Sequence, residues 1–229
     1  MTLCVDTSGD WTNLALGSGE ALLATMSTFS VHAHARTLLA SIEHLLATQR
    51  MGLADVDVLA TCLGPGSFTG LRVGVTTVKG LRFALEKPVV GVLATDVLRA
   101  ALPEEKQLAC AIDAKKGEVY FCLFRRARGK DALVVPHFAA LPEDGVQRIL
   151  SACRGPVLMV GSACRVHPDR LVAAGRGRVE LCPSLAGDLP AEVLYRVCVA
   201  AASRGGKRSE AKIEPFYVRP PSISVPKPG

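Results

Sequence analysis

The sequence predicts an α/β protein built from two similar halves. Apolar runs typical of buried strands alternate with segments whose apolar residues recur at helical spacing, which indicates sheets covered by helices. Residues 4–14 and residues 111–121 follow one scheme: an apolar strand ends in an aspartate, and a short turn leads to a second strand. This scheme opens each half of the chain, so we expect a duplicated fold.

The first half begins with three apolar segments separated by short polar turns, which predict a meander. Between the second and third segments, Gly17-Ser-Gly19 supplies the turn. A wide apolar stripe follows at helical spacing. In chain order, we expect strands at residues 3–6, 11–16, 21–26, 56–63 and 89–92, and helices at residues 35–49, 69–85 and 95–102.

A glycine-rich loop joins the fourth strand to the second helix. It does not match a P-loop, because Leu71 and Arg72 follow Gly70 where a lysine is required. Its glycines also miss the dinucleotide-binding spacing by one residue. The loop could receive an anion or another protein's backbone, or it could be a simple turn, and Phe68 at its tip is a candidate contact residue. The loop candidates are Gly64, Pro65, Gly66, Ser67 and Thr69.

A polar, proline-led break at residues 103–107 divides the halves, so we place domains at residues 1–103 and 104–229. The second half begins with two strands joined by a short turn within residues 111–121. It then predicts strands at residues 133–135, 157–160 and 179–182, and helices at residues 143–153, 168–174 and 191–203. The last ten residues hold four prolines and predict a loose tail. A basic cluster that precedes them is most simply a solvated segment: Arg204, Lys207, Arg208 and Lys212.

Composition places the chain among soluble proteins. It has 229 residues, 49% apolar and 21% charged, and no apolar run long enough to cross a bilayer. Eight scattered cysteines without a Cys-x-x-Cys pair predict buried free thiols in a reducing cytoplasm, and the start lacks the features of a signal peptide. The net charge of +6 permits contact with RNA without indicating it, since aromatic residues are only 5% of the chain.

The best candidates for chemistry are two strand-end aspartates. Asp6 and Asp113 could hold Mg²⁺ and phosphates, or they could cap their own turns. No metal-binding histidine pair is visible, because Arg36 and Leu38 stand where partners for His32 and His34 would be. Ser67 also lacks the Gly-x-Ser-x-Gly context of a nucleophile.

Three ordered motifs carry a family resemblance. Residues 64–74, GPGSFTGLRVG, resemble the signature of the bacterial tRNA threonylcarbamoyladenosine biosynthesis protein TsaB, also called YeaZ. Residues 112–120, IDAKKGEVY, and residues 215–219, PFYVR, resemble two further stretches of that family. The motifs extend over nearly the whole chain.

The resemblance implies a duplicated actin-like and Hsp70-like ATPase fold of two RNase H-like halves with a degenerate nucleotide site. It implies a scaffold subunit, without catalytic residues or a metal, that supports the catalytic paralogue TsaD together with the ATPase TsaE. No tightly bound cofactor is expected in the isolated chain, although ATP or ADP with Mg²⁺ could bind where partners meet. The vestigial loop candidates are Asp6, Thr7, Ser8, Asp113, Gly117 and Glu118.

The two long helices of the first half carry more apolar side chains than one sheet face should need. We therefore predict that a partner covers the excess, as in a four-helix bundle, and that the chain pairs with itself when the partner is missing. Glycines at 70, 74 and 80 would allow the helices to approach closely. The predicted interface comprises His34, Leu38, Leu39, Ile42, Leu46, Phe68, Gly70, Arg72, Gly74, Val75 and Val78.

Three alternatives remain at this stage. The apolar stripes could simply fill the internal core. The chain could be an ATPase or transferase that uses Asp6 and Asp113, in which case it would bind MgATP alone. It could also bind tRNA directly, with a steep salt dependence, rather than through the complex.

Overall fold

A computed structural model describes residues 1–29, 33–187, 189–203 and 213–219. Several predictions fall outside these ranges: His32, the basic cluster Arg204, Lys207, Arg208 and Lys212, and the proline-rich tail at residues 220–229. Within the described residues, no helix is both long and apolar enough to cross a membrane.

The first half folds as a five-stranded mixed sheet with three helices. Its central strand β1 runs antiparallel to β2 and parallel to β4, in the order β3-β2-β1-β4-β5. The strands are β1 (Thr2–Asp6), β2 (Trp11–Ser18), β3 (Ala21–Phe29), β4 (Val58–Cys62) and β5 (Val89–Val92), and the helices are α1 (His34–Thr48), α2 (Phe68–Leu85) and α3 (Ala94–Ala101).

The second half repeats this topology. Its first strand β6 again lies between an antiparallel hairpin partner and a parallel neighbour, in the order β10-β9-β6-β7-β8. The elements are β6 (Gln107–Lys115), β7 (Glu118–Ala127), β8 (Lys130–Ala140), α4 (Pro142–Ser151), β9 (Val157–Val160), α5 (Ala163–Val166), α6 (Pro168–Gly175), β10 (Val179–Leu181) and α7 (Ala191–Ser203). Asp6 is the last residue of β1, and Asp113 lies two residues before the end of β6. Because both halves share this topology, the expectation of a duplicated α/β fold is confirmed.

The helix α7 crosses from the second half to the first. It packs against β1, β2, β3 and β5, and the Tyr195 hydroxyl donates a 2.9 Å hydrogen bond to the Gly19 carbonyl. A core cluster between the halves combines apolar residues of both, including Cys4, Cys110 and Leu194. The domain boundary at residues 103–107 stays a prediction. The helix α7 comes after that boundary in the sequence but packs against the sheet of the first half.

Most of the apolar side chains in the predicted stripes of α1 and α2 are already buried within the chain. Five predicted interface residues are at most 2% exposed because they pack inside the chain against the first sheet: Leu38, Ile42, Leu46, Val75 and Val78. The prediction that these side chains await a partner is therefore wrong. The sheet offers more surface than expected because Leu3, Val5, Leu14 and Leu16 all face the same two helices.

The outer faces of these helices retain a smaller apolar surface. Leu39 on α1 is 53% exposed and Phe83 on α2 is 89% exposed. Gly80 lies near Phe83 on the same helix, with open space where a Cβ would point. The remaining candidate surface for a partner is therefore centred on residues that the stripe analysis mostly left out.

Candidate functional site at the junction of the two halves

The first aspartate loop closes on itself. Asp6, at the end of β1, is fully buried, and its carboxylate accepts hydrogen bonds from the Ser8 amide at 2.8 Å and from Asn13 Nδ2 at 3.3 Å. These bonds hold the turn between β1 and β2 and are typical of a structural Asx turn. The buried carboxylate is thus directed toward its own hairpin.

The glycine-rich loop packs directly against this turn. A Cβ on Gly70 would lie 2.1 Å from the Thr7 carbonyl oxygen, and one on Gly66 would lie 2.3 Å from the Ser8 carbonyl oxygen. A Cβ on Gly74 would lie 2.4 Å from Thr7 Oγ1. Gly70 and Gly74 therefore allow the chain's own β1–β2 turn to approach α2, which corrects their assignment to a contact between helices of two subunits.

The start of α2 is also occupied from within the chain. Ser67 caps the helix by accepting a 3.3 Å hydrogen bond from the Gly70 amide, and its own amide donates to the Ser8 carbonyl at 2.7 Å. Pro65, Gly64 and Gly66 are buried beneath this contact. From the sequence, the glycine-rich loop could receive an anion or another protein's backbone, or be a simple turn. In the structure it packs against backbone of the same chain, the β1–β2 turn.

A C-terminal segment, residues 213–219, runs across the glycine loop and joins the two halves. We call it the strap. Ile213 enters the core of the first half, and the Phe216 amide donates a 2.7 Å hydrogen bond to the Leu63 carbonyl. The Phe216 ring then meets His137 of β8, with the ring centroids 5.0 Å apart, and Arg219 forms an ion pair with Glu118 of β7.

The strap also covers the tip of the glycine loop. Tyr217 lies 5.2 Å from the Phe68 ring, and the Arg72 guanidinium stacks 3.9 Å above that ring while it donates a 3.1 Å hydrogen bond to Tyr217 Oη. Phe68 is still 38% exposed. Sequence analysis singled out Phe68 and the PFYVR motif separately, but nothing in their spacing indicates that they meet.

The second aspartate loop faces the cleft between the halves. Asp113 Oδ1 accepts a 3.1 Å hydrogen bond from the Lys115 amide, and Oδ2 forms a 3.0 Å ion pair with Lys115 Nζ. Asp113 Oδ1 also lies 3.7 Å from His167 Nε2. The turn that follows Lys115 and leads into β7 ends at Gly117, with φ of 80°. Asp113 therefore has several polar partners, and Glu118 forms an ion pair with Arg219 of the strap.

A second set of charges crosses the cleft. Asp10 of the first half forms ion pairs with Lys115 Nζ at 3.4 Å and with Arg165 at 3.1 Å, both from the second half. Burial alone would raise the pKa of Asp10, but the two cations lower it overall. Burial alone would lower the pKa of Lys115, but Asp113 and Asp10 raise it overall.

The cavity enclosed by the two aspartate loops is small. It has a volume of about 40 Å³ and is lined by Asp10, Trp11, Asp113, Lys115 and Arg165, among others. Pockets that bind nucleotide-sized ligands have volumes of about 300–1,000 Å³. In this conformation the cleft therefore has room for water or a small ion.

The predicted interface residue His34 points into the chain. His34 is the first residue of α1 and is 7% exposed. Its Nδ1 lies 2.8 Å from Thr12 Oγ1 and its Nε2 lies 3.2 Å from the Gly9 carbonyl oxygen, so the ring ties α1 to the first loop and has no surface for a partner. Across the described residues, no group of three or more His, Cys, Asp or Glu side chains could hold a metal ion.

Comparison with known proteins shows the family to which this chain belongs. A family model described as TsaD, tRNA N6-adenosine threonylcarbamoyltransferase, matches residues 28–141. The tRNA threonylcarbamoyladenosine biosynthesis protein TsaB of Bacillus subtilis (strain 168) is 30% identical over 170 residues, which are 74% of this chain and 74% of that protein. The chain belongs to the TsaB family.

Solved structures agree with this assignment. A structure of YeaZ from Pseudomonas aeruginosa is 29% identical, with a TM-score of 0.69, and the match covers 89% of this chain and 94% of that one. A Bacteroides thetaiotaomicron protein described as having an actin-like ATPase fold is only 10% identical, with a TM-score of 0.51 over 87% of this chain and 95% of that one. This second likeness shows the fold alone: the TsaB-family chain has the duplicated actin-like architecture.

Proposed function

We propose that this chain is a non-catalytic accessory subunit in the formation of N6-threonylcarbamoyladenosine at position 37 of tRNAs that read codons beginning with A. It would support a TsaD-like catalytic paralogue, together with a TsaE-like ATPase, in the cytoplasm. Membership of the TsaB family supports the involvement in this modification. The scaffold role is our proposal from the geometry of the cleft.

The observation that carries the proposal is the closed cleft. The Asp6 carboxylate is turned into its own hairpin, Asp113 is paired with Lys115, and about 40 Å³ remains between the loops. A catalytic ATPase of this architecture needs its aspartates free to meet Mg²⁺ and phosphates. The arrangement of these side chains favours a subunit that acts through its surface.

The surface proposed for the TsaD-like partner is the outer face of α1 and α2, around Leu39, Gly80 and Phe83. A partner that covers a phenylalanine that is 89% exposed and a leucine that is 53% exposed removes apolar surface from water, which favours association. Gly80 has no atom within 4 Å of the position a Cβ would take, so it would let a helix of the partner approach closely. In isolation the same face would pair two copies of this chain.

The test replaces Leu39 or Phe83 with Glu, in separate variants, and measures solution mass and capture of the TsaD-like partner. Each substitution should leave the fold intact, because both side chains are exposed, and should abolish dimerisation and capture. Leu133→Glu is the control, since Leu133 is 42% exposed but lies on β8 of the second half. If both α-helical variants keep the mass and the partner binding of the unaltered chain, the surface assignment is wrong.

The competing hypothesis is an ATPase or transferase that uses Asp6 and Asp113. Their similar positions, at the end of β1 and two residues before the end of β6, are the observation in its favour. Calorimetry of the isolated chain with MgATP separates the two hypotheses. A scaffold gives no saturable heat, whereas an enzyme binds the nucleotide and turns it over.

A further inference from the structure

The cleft contains an anion site that already has an occupant. Arg165 of α5 and Lys115 at the end of β6 converge in the second half, and both form ion pairs with the carboxylate of Asp10 in the first half. A carboxylate flanked by an arginine and a lysine reproduces the way proteins hold phosphate groups. Ser8, Ser67 and Ser162 line the same cavity.

The β6–β7 hairpin places Lys115 at this site. Lys116 and Gly117 form its tight turn, with φ of 55° and 80°, as a two-residue hairpin turn of type I′ requires. Lys115, directly before the turn, has φ of 63°. Its Nζ contacts both Asp10 and Asp113.

The charges of the cluster balance only because Asp10 is present. Asp10 and Asp113 are two carboxylates opposite two cations, Lys115 and Arg165. The side chains of Lys115 and Arg165 are 56% and 52% exposed, so solvent and solutes reach them from outside the cleft. Without the Asp10 charge, Arg165 would lose its carboxylate and the cluster would carry an excess positive charge.

We propose that Asp10 is a built-in anion that occupies the Lys115–Arg165 site and latches the two halves together, so that a diphosphate group binds there only when Asp10 is neutralised or displaced. The latch accounts for a cleft that retains the two aspartate loops of the actin-like architecture and yet encloses so little space. It makes the TsaB-family chain a closed form of this fold whose anion site is filled by its own side chain. The proposal does not depend on the scaffold role.

The molecule supplies its own probe for the test. Trp11 is the only tryptophan of the chain, follows Asp10 directly and lines the same cavity, so its fluorescence reports on the cleft. Inorganic pyrophosphate and MgADP are titrated separately, because both carry a diphosphate and only one carries a nucleoside. Circular dichroism and calorimetry accompany the fluorescence for each variant.

We expect Asp10→Asn to bind pyrophosphate at least about tenfold more tightly than the unaltered chain, whose response should stay far from saturation over the same concentration range. Asp10→Ala is measured as a second variant, so that the result does not depend on whether one of the two variants folds poorly. The double variant with Asp10→Asn and Arg165→Met should lose the response. The matched control is Asp144→Asn, which removes the same charge from an exposed position on α4 and should behave as the unaltered chain does.

Four results would overturn the proposal. The first is an equal response of the unaltered chain and both Asp10 variants. The second is pyrophosphate binding that survives the loss of Arg165, which would place the anion elsewhere. The third is an equal gain in Asp144→Asn, which would reduce the effect to net charge. A response to MgADP but not to pyrophosphate would also contradict a site built for the diphosphate group.

Discussion

The hydroxyl of Thr7 donates a 2.7 Å hydrogen bond to the carbonyl oxygen of Gly70. This bond joins the turn after β1 to the first turn of α2, two elements that are far apart in the sequence. Around it, the glycines of the GPGSFTGLRVG motif bring backbone against backbone. The most recognisable motif of the chain is therefore a packing device for the first aspartate loop.

Gly70→Ala tests this packing role. The new Cβ would lie 2.1 Å from the Thr7 carbonyl oxygen, so the turn or the helix must shift, and we expect a loss of about 1–3 kcal/mol in the free energy of unfolding. Gly80→Ala on the same helix is the control, with open space around its Cβ and an expected gain of about 0.5–1 kcal/mol. Urea denaturation measures both, and equal effects would contradict the packing account.

Phe216→Ala tests the strap. The ring bridges the glycine loop and His137 of the second half, so its removal should lower the free energy of unfolding by about 1–3 kcal/mol. Phe83→Ala makes the same change at an 89% exposed position and should cost less than about 0.5 kcal/mol in the monomer. The strap would be dispensable to the fold if the two variants melted at the same temperature.

Asp10 should make stability depend on pH in the acid range. Its pKa in the folded chain lies below the ordinary value of 3.8, so its contribution is fully present above that value and is lost as the pH falls through the folded pKa. The difference in unfolding free energy between the unaltered chain and Asp10→Asn should therefore be constant near neutral pH and shrink under acid conditions. Chemical denaturation at several pH values gives this difference, and a gap that widens toward low pH would have the wrong sign.

The cysteines should differ in reactivity. Cys182 is half-buried, whereas the other seven thiols are buried and all eight are free. Burial also raises the pKa of Cys164 to about 12, which further suppresses its thiolate. An aromatic disulfide reagent should label one thiol quickly in the native chain and the rest only in denaturant, and Cys182→Ser should remove the fast phase. Fast labelling of several thiols would contradict the buried assignment.

The sequence predicted the order of the elements well because each half is built from local signals. The meander, the strand-end aspartates and the strand–glycine–helix motif all depend on neighbouring residues, and they appear in the structure where they were expected. The third strand of the second half was predicted too short, at residues 133–135. The observed strand, Lys130–Ala140, is exposed over its first four residues and contains the exposed Pro136, so its apolar pattern is weak.

The site was less predictable because it depends on contacts between distant residues. An apolar stripe shows that a helix buries one face, but it does not reveal whether the covering surface belongs to the same chain. Ile42 and Val78 were assigned to a partner for this reason, and the structure buries both internally. The bonds from Asp10 to Arg165 and from Phe216 to Leu63 likewise join elements whose proximity no local pattern indicates.

The most direct test of the scaffold role is tRNA modification by purified TsaD-like and TsaE-like partners with three forms of this chain: unaltered, Asp113→Asn and Phe83→Glu. Circular dichroism first establishes that both variants fold. We predict that Asp113→Asn supports formation of N6-threonylcarbamoyladenosine at close to the unaltered rate, whereas Phe83→Glu does not. Loss of the product with Asp113→Asn, while Phe83→Glu keeps it, would contradict the account and point to chemistry in the cleft.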